Sequence, residues 1–236
     1  MYLVPDFHNP TGRLLDGARR REVARLAAEF HVPVMEDTVQ AELWFDAPPP
    51  APIAAFDLAA PILTVGSMSK VFWGGLRIGW VRADEATIAR LGRLKAVTDF
   101  GTPVLAQLVA ARLLDELDDV AARRRDELTL RLGVLTAALE RWLPDWTFEP
   151  PLGGLSLWTQ LPEPESAQLA RVAVEHGVTV VPGSTFTMGE QRHADRVRLP
   201  FVAPPDVLEE GVRRLATAWR HVRDRGEAPR RQAQVV

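Results

Sequence analysis

The sequence runs to 236 residues with 28 Lys and Arg against 31 Asp and Glu, a formal charge of −3, and 47% of its residues are hydrophobic. That is chain enough for one large domain or two small ones at roughly 100 to 200 residues each, and it excludes the disordered, collagen-like and coiled-coil classes. The charge balance offers no general field for nucleic acid or anionic lipid, and the absence of cysteine excludes disulfide scaffolds, thiolate metal sites, iron–sulfur clusters and cysteine nucleophiles. No apolar run approaches the roughly 18 residues of a membrane span, and Met1-Tyr-Leu-Val-Pro-Asp6 lacks the pattern of a signal peptide. No membrane or nucleic-acid partner is expected for this chain itself, and the expected location is cytoplasmic.

Tyr2-Leu-Val-Pro5 reads as the end of a buried strand, followed directly by the turn signal Asn9-Pro-Thr-Gly12. Between Asp16 and Phe30, Val23, Leu26, Ala27 and Phe30 recur at helical spacing opposite Arg19, Arg20, Arg21 and Glu22. This predicts a helix with its arginines in water. Short apolar runs at 32–35, 62–65 and 78–81 are expected as strands of a largely parallel sheet covered on both faces, which makes the first half α/β. Helical stripes begin at Asp84, break at Gly101-Thr-Pro103 and resume over 105–117 and 120–143. The triplet Arg123–Arg125 within them reads as a solvated helix face. Past Pro144, Pro150 and Pro151, strands are expected near 147–149, 155–160, 178–181 and 197–201, alternating with helices from about Glu165 and Asp206. The resulting division is 1–124, a smaller α/β domain over 125–224 and a disordered tail over 225–236. Trp142, Trp146 and Trp158 are expected in the core of the second domain, and packing is also the favoured role for Trp73 and Trp80. The five histidines, His8, His31, His176, His193 and His221, lack ligand spacing, so no metal is expected.

Several residues carry chemistry. Lys70 follows the strand at 62–65 through Gly66-Ser-Met-Ser69, which puts its amine at the C-terminal edge of a parallel sheet, where open α/β folds hold ligands. A surface lysine is the alternative. Seven residues on stands Arg77, within Gly74-Gly-Leu-Arg-Ile-Gly79. Hydroxyls at Ser67 and Ser69, a returning arginine and permissive glycines suit a phosphate dianion. Glu36-Asp37 closes another apolar strand; a carboxylate there can keep a heterocyclic nitrogen protonated, or serve as a helix N-cap. Asn9 can hydrogen-bond a ring hydroxyl or simply shape its turn.

Taken in order, Asn9-Pro-Thr-Gly12, Glu36-Asp37, Ser67-Met-Ser-Lys70 and Arg77 resemble the signature of fold-type I pyridoxal-phosphate enzymes, specifically class I/II aminotransferases. The resemblance continues through Gly153-Gly-Leu-Ser-Leu-Trp158, Val180-Val-Pro-Gly183 and Arg196-Val-Arg198-Leu-Pro-Phe201. It implies an α/β fold that is the C-terminal part of the pyridoxal-phosphate-dependent transferase fold: a mostly parallel sheet with flanking helices and a smaller C-terminal α/β domain. Residues 1–124 then correspond to part of the large cofactor-binding domain, its N-terminal portion being absent. Under the resemblance Lys70 forms the internal aldimine with pyridoxal 5′-phosphate, Asp37 pairs with the pyridine nitrogen, and Asn9 binds the ring oxygen. Ser67, Ser69 and Arg77 hold the cofactor phosphate, and Arg198 takes the substrate α-carboxylate as a planar fork. The implied reaction is transamination between an α-amino acid and a 2-oxo acid, in a protein that is a homodimer at full length. MocR-type transcriptional regulators share this wording, so an effector-sensing and dimerisation domain is the alternative reading, with an inactive fragment as a third.

Overall fold

The computed structural model describes residues 1–188 and 192–227. The described residues fall into two compact units, Met1–Glu127 with Pro151–Gly154, and Leu128–Pro150 with the described residues from Leu155 onward.

The first unit is built on strands β1 (Tyr2–Leu3), β2 (Val34–Asp37), β3 (Ile62–Ser67) and β4 (Gly79–Arg82), in the order β1-β2-β3-β4. Between β1 and β2 lies helix α1 (Gly17–Glu29), whose N-cap Asp16 accepts from the Arg19 amide at 2.8 Å, a cap worth about 1 kcal/mol. β1, β2 and β3 are parallel, as the apolar runs predict, but β4 is antiparallel to β3. Only residues 68–78 join β3 to β4, fewer than a parallel crossover needs, so the chain turns back as a hairpin.

Cover on the sheet is one-sided. Val34, Glu36, Ile62 and Thr64 alternate onto a buried face, where Val34 and Ile62 pack with Ala24 and Ala27 of α1 and with Ile53 and Ala54 of a short 3₁₀ turn. Glu36 is fully buried and accepts from the Ile53 and Ala54 amides at 2.5 and 3.4 Å and from Thr64 Oγ1 at 3.2 Å. It satisfies the amino end of that 3₁₀ turn. On the opposite face Met35 and Val81 stay exposed, and Tyr2, on the edge strand, keeps 58% of its surface. The expectation of a buried first strand and of cover on both faces is therefore corrected: β1 and β4 are edges, each paired on one side only.

Arg20 overturns the expectation of a fully solvated arginine face on α1. Its side chain is completely buried and donates to Asp6 Oδ1 at 2.6 Å and to the carbonyls of Leu15, Pro50, Ala51 and Pro5. Burial raises the Asp6 pKa against the pull of the Arg20 guanidinium, and the nearby Asp37 charge adds to the rise. Arg125 is likewise no solvated residue: its guanidinium lies 4.1 Å from the Trp44 ring centroid and donates to the Glu42 carbonyl at 3.2 Å. Helices α2 (Glu85–Thr98) and α3 (Val104–Leu114) follow, α2 burying no residue and α3 only Ala110.

Helix α4 (Leu117–Trp142) leads on to the second unit, which holds the antiparallel sheet β5 (Thr147–Phe148), β6 (Ser156–Gln160), β8 (Arg196–Pro200) and β7 (Val181–Pro182), in that spatial order. The run expected as a strand over 178–181 pairs only at its end. Helices α5 (Ser166–Glu175) and α6 (Pro205–Glu227) pack on each other. Leu208, Val212, Leu215, Ala216, Trp219 and Val222 form the buried stripe of α6, and Trp146 meets Trp219 edge-to-face at 5.7 Å. Trp142 is 38% exposed and lies outside the core expected for it. His176 and His221, far apart in sequence, meet at 2.9 Å between ring nitrogens. Of the tail expected over 225–236, the first three residues continue α6; 228–236 lie outside the described residues.

Candidate active site

Strand direction gathers the candidate residues. β1, β2 and β3 are parallel, so their C-terminal ends share one edge of the sheet, and antiparallel β4 begins at that edge. The turn carrying Asn9 leaves that edge after β1, Asp37 ends β2, Ser67 ends β3, and Arg77 lies just ahead of β4. This is the edge at which open α/β sheets bind ligands.

The local geometry is specific. Gly12 donates to the His8 carbonyl at 2.7 Å and His8 to the Arg13 carbonyl at 2.8 Å, closing the Asn9 turn. Gly12 sits at φ 66°, and a Cβ there would overlap Pro151, so both conformation and space demand glycine. His8 Nδ1 lies 3.0 Å from Thr11 Oγ1, and burial lowers the imidazole pKa. Asn9 itself is exposed.

Asp37 is half-buried. Its Oδ1 accepts from the Val39 amide at 3.0 Å and its Oδ2 from the Tyr2 hydroxyl at 2.5 Å. Partial desolvation, then the Asp37 hydrogen bond and charge, push the Tyr2 phenol up to about 12. Tyr2 is the one member of this constellation that the sequence reading missed. Its signal lies in the register: Tyr2 pairs with Met35, so its side chain shares a face with Asp37 two residues on.

Beyond β3 the chain makes a tight turn. Ser67 Oγ accepts from the Ser69 amide at 3.1 Å, and Phe72 donates to the Met68 carbonyl at 3.0 Å. Lys70 is exposed on this turn. Ser67 pairs with Gly79, and the Met68 amide donates to the Ile78 carbonyl at 3.1 Å, which returns Arg77 to the neighbourhood of Ser67–Ser69. Arg77 holds a left-handed backbone, φ 54° and ψ 32°, uncommon for a residue with a side chain and concentrated at functional turns. Gly79 is required by the closeness of the hairpin, since a Cβ there would sit 2.8 Å from the Gly66 carbonyl oxygen. Trp73 and Trp80 are 69% and 48% exposed; Trp80 covers Gly66, and neither is the packed core residue expected from the sequence.

A cavity of about 120 Å³ opens beside Thr38, Val39, Ser67, Met68 and Trp80, smaller than the roughly 300–1,000 Å³ of pockets that enclose small ligands. A larger one of about 530 Å³ lies in the second unit among Val178, Val180, Leu199, Val207 and Leu215 and touches no candidate residue. Arg198 also belongs to the second unit. It pairs with Trp158 across β6 and β8, is half-buried, and holds its guanidinium 5.2 Å from the Phe186 ring centroid.

Residues 3–215 match the family described as aminotransferase class I and II. The chain belongs to that family, whose cofactor is pyridoxal phosphate. Among its relatives, the uncharacterized HTH-type transcriptional regulator YdfD of Bacillus subtilis (strain 168) is 34% identical over 91% of this chain and 45% of its own length. Aromatic-amino-acid aminotransferase 1 of Thermococcus litoralis is 31% identical over 92% of this chain and 53% of its own. Among solved structures, LysN, the α-aminoadipate aminotransferase of Thermus thermophilus, complexed with N-(5′-phosphopyridoxyl)-L-leucine, superposes with a TM-score of 0.86. It is 30% identical, and the match covers 94% of this chain and 59% of that one. The chain thus spans about half the length of the curated relatives it matches. Among the described residues no helix is long and apolar enough to cross a membrane.

Proposed function

We propose that this chain supports pyridoxal-phosphate-dependent transamination between an α-amino acid and a 2-oxo acid, as part of a cytoplasmic homodimer. The observation that carries the reading is the sheet edge: Asp37, Ser67, Lys70 and Arg77 leave neighbouring strands at one end, in a chain of the aminotransferase family. The donor set fits the cofactor. An exposed amine, a carboxylate with lone pairs to spare beyond its two hydrogen bonds, and a serine–arginine turn match an aldehyde, a pyridine nitrogen and a phosphate respectively.

When bound, the cofactor supplies an electron sink for charge developing at the substrate α-carbon. In this reading Asp37 accepts the pyridine N–H and keeps that proton in place. Ser67, Ser69 and Arg77 hold the phosphate, and Asn9 donates to the ring oxygen. Lys70 would anchor the cofactor through its amine and, once released, would take the proton from the substrate α-carbon and pass it to C4′ of the cofactor. Arg198 offers the substrate carboxylate a planar pair of donors.

The regulator-named relatives favour one second reading, in which the same residues bind cofactor and amino acid as a sensor without turnover. One experiment separates the two. Protein loaded with pyridoxal phosphate is mixed with α-amino acids and its visible absorption followed, and a 2-oxo acid is then added. Loss of the visible band, its return with the 2-oxo acid, and the absence of both in Lys70→Ala are expected. A persistent band with saturable amino-acid binding supports the sensor, and no band at all contradicts both readings.

A further inference from the structure

We propose that Tyr2 is a positioning residue for Asp37, holding the carboxylate in the orientation from which it meets the cofactor's ring nitrogen; this rests on the transamination reading above. The two residues stand on adjacent parallel strands, with Tyr2 in register with Met35 and Asp37 two residues further along the same face. The hydroxyl donates to Oδ2 at 2.5 Å while the Val39 amide donates to Oδ1 at 3.0 Å. A carboxylate gripped at both oxygens cannot rotate about its Cβ–Cγ bond without losing a charge-assisted hydrogen bond. Each oxygen keeps a lone pair for a third donor. The Val39 contact is local and comes with the turn, so the phenol is the contact that a substitution can remove without rebuilding the backbone.

Other charges near the pair do not replace it. Asp6 feels the Asp37 charge, but its own side chain is buried against Arg20 at 2.6 Å. Arg20 is committed to Asp6 and four carbonyls. Among the described residues, Tyr2 is the side chain seen to hydrogen-bond Asp37.

The chain contains a single tyrosine, so tyrosinate absorbance near the ultraviolet edge reports Tyr2 alone. In cofactor-free protein the titration midpoint is expected at about 12, falling by about one unit in Asp37→Asn as the negative charge is removed. A midpoint near the ordinary 10 that Asp37→Asn leaves unmoved overturns the proposal. A double-mutant cycle of Tyr2→Phe and Asp37→Asn in urea at neutral pH makes the same test without alkali: coupling between the pair supports it, and additivity overturns it. The positioning role itself is read from cofactor affinity. Tyr2→Phe should raise the Kd for pyridoxal phosphate by about three- to tenfold, the loss expected when one hydrogen bond that orients a binding residue is removed. An unchanged Kd in a variant that still takes covalent label at Lys70 reduces Tyr2 to a strand tie and overturns the proposal. Absence of label at Lys70 in the unsubstituted chain overturns the functional reading instead, and with it the positioning role, while the titration and the cycle still report whether the Tyr2–Asp37 contact exists.

Discussion

Helices α2 and α6 both carry recurring apolar residues, a strong one-sided stripe on α6 and a weaker, drifting one on α2, and they meet different fates. On α6, Leu208, Val212, Leu215, Trp219 and Val222 are all under a tenth exposed. On α2, Ile88, Leu91, Leu94 and Val97 recur every third residue, yet they are 38%, 36%, 53% and 77% exposed. Periodicity tells which side of a helix is apolar. Whether anything covers that side depends on partners elsewhere, and α6 has α5 while α2 buries nothing.

That contrast makes a graded set of expectations. Trp219→Ala, which removes a buried indole stacked edge-on against Trp146, should cost about 3–5 kcal/mol in urea unfolding. A cost near zero would mean that α6 is no better packed than α2. Arg20→Ala should cost about as much, roughly 3–5 kcal/mol, because it strands the buried Asp6 carboxyl without its partner; Asp6→Asn in the same background should recover part of that loss. A smaller effect belongs to His8, whose pKa burial lowers from 6.5. The neutral ring's contribution is present above pH 6.5 and is lost as pH falls through the lowered folded value. His8→Gln should flatten the acid limb of the stability profile, and an unchanged limb contradicts the burial. Smallest is Val97→Ser on α2, within about 0.5 kcal/mol of the parent, accompanied by weaker self-association in sedimentation as an exposed apolar patch is reduced.

The order of strands and helices could be read from the sequence because the short apolar run at 62–65 and the helical spacing from Asp206 are properties of the chain itself. The candidate site was legible for the same reason: Asn9, Asp37, Ser67, Lys70 and Arg77 all sit at strand ends or in turns, where local wording fixes location. Three things were not legible. The direction of β4 hung on the length of the 68–78 link. The burial of Arg20 is spelled out by its spacing to Ala24 and Ala27 on α1, but a charged side chain argues for water until Asp6 and four carbonyls are seen around it. The Tyr2–Asp37 contact spans 35 positions and exists only in one strand register, which no local pattern specifies.

In the transamination reading, the turn after β3 carries the cofactor on Lys70. The chain has two lysines, Lys70 and Lys95, and Lys95 is paired with Asp99 at 2.7 Å on α2. Incubation with pyridoxal phosphate, borohydride reduction and peptide mapping therefore has few outcomes. Stoichiometric label on Lys70, lost in Lys70→Ala and kept in Lys95→Ala, is the predicted result; label on Lys95, or on neither lysine, would rule out Lys70 as the cofactor's anchor.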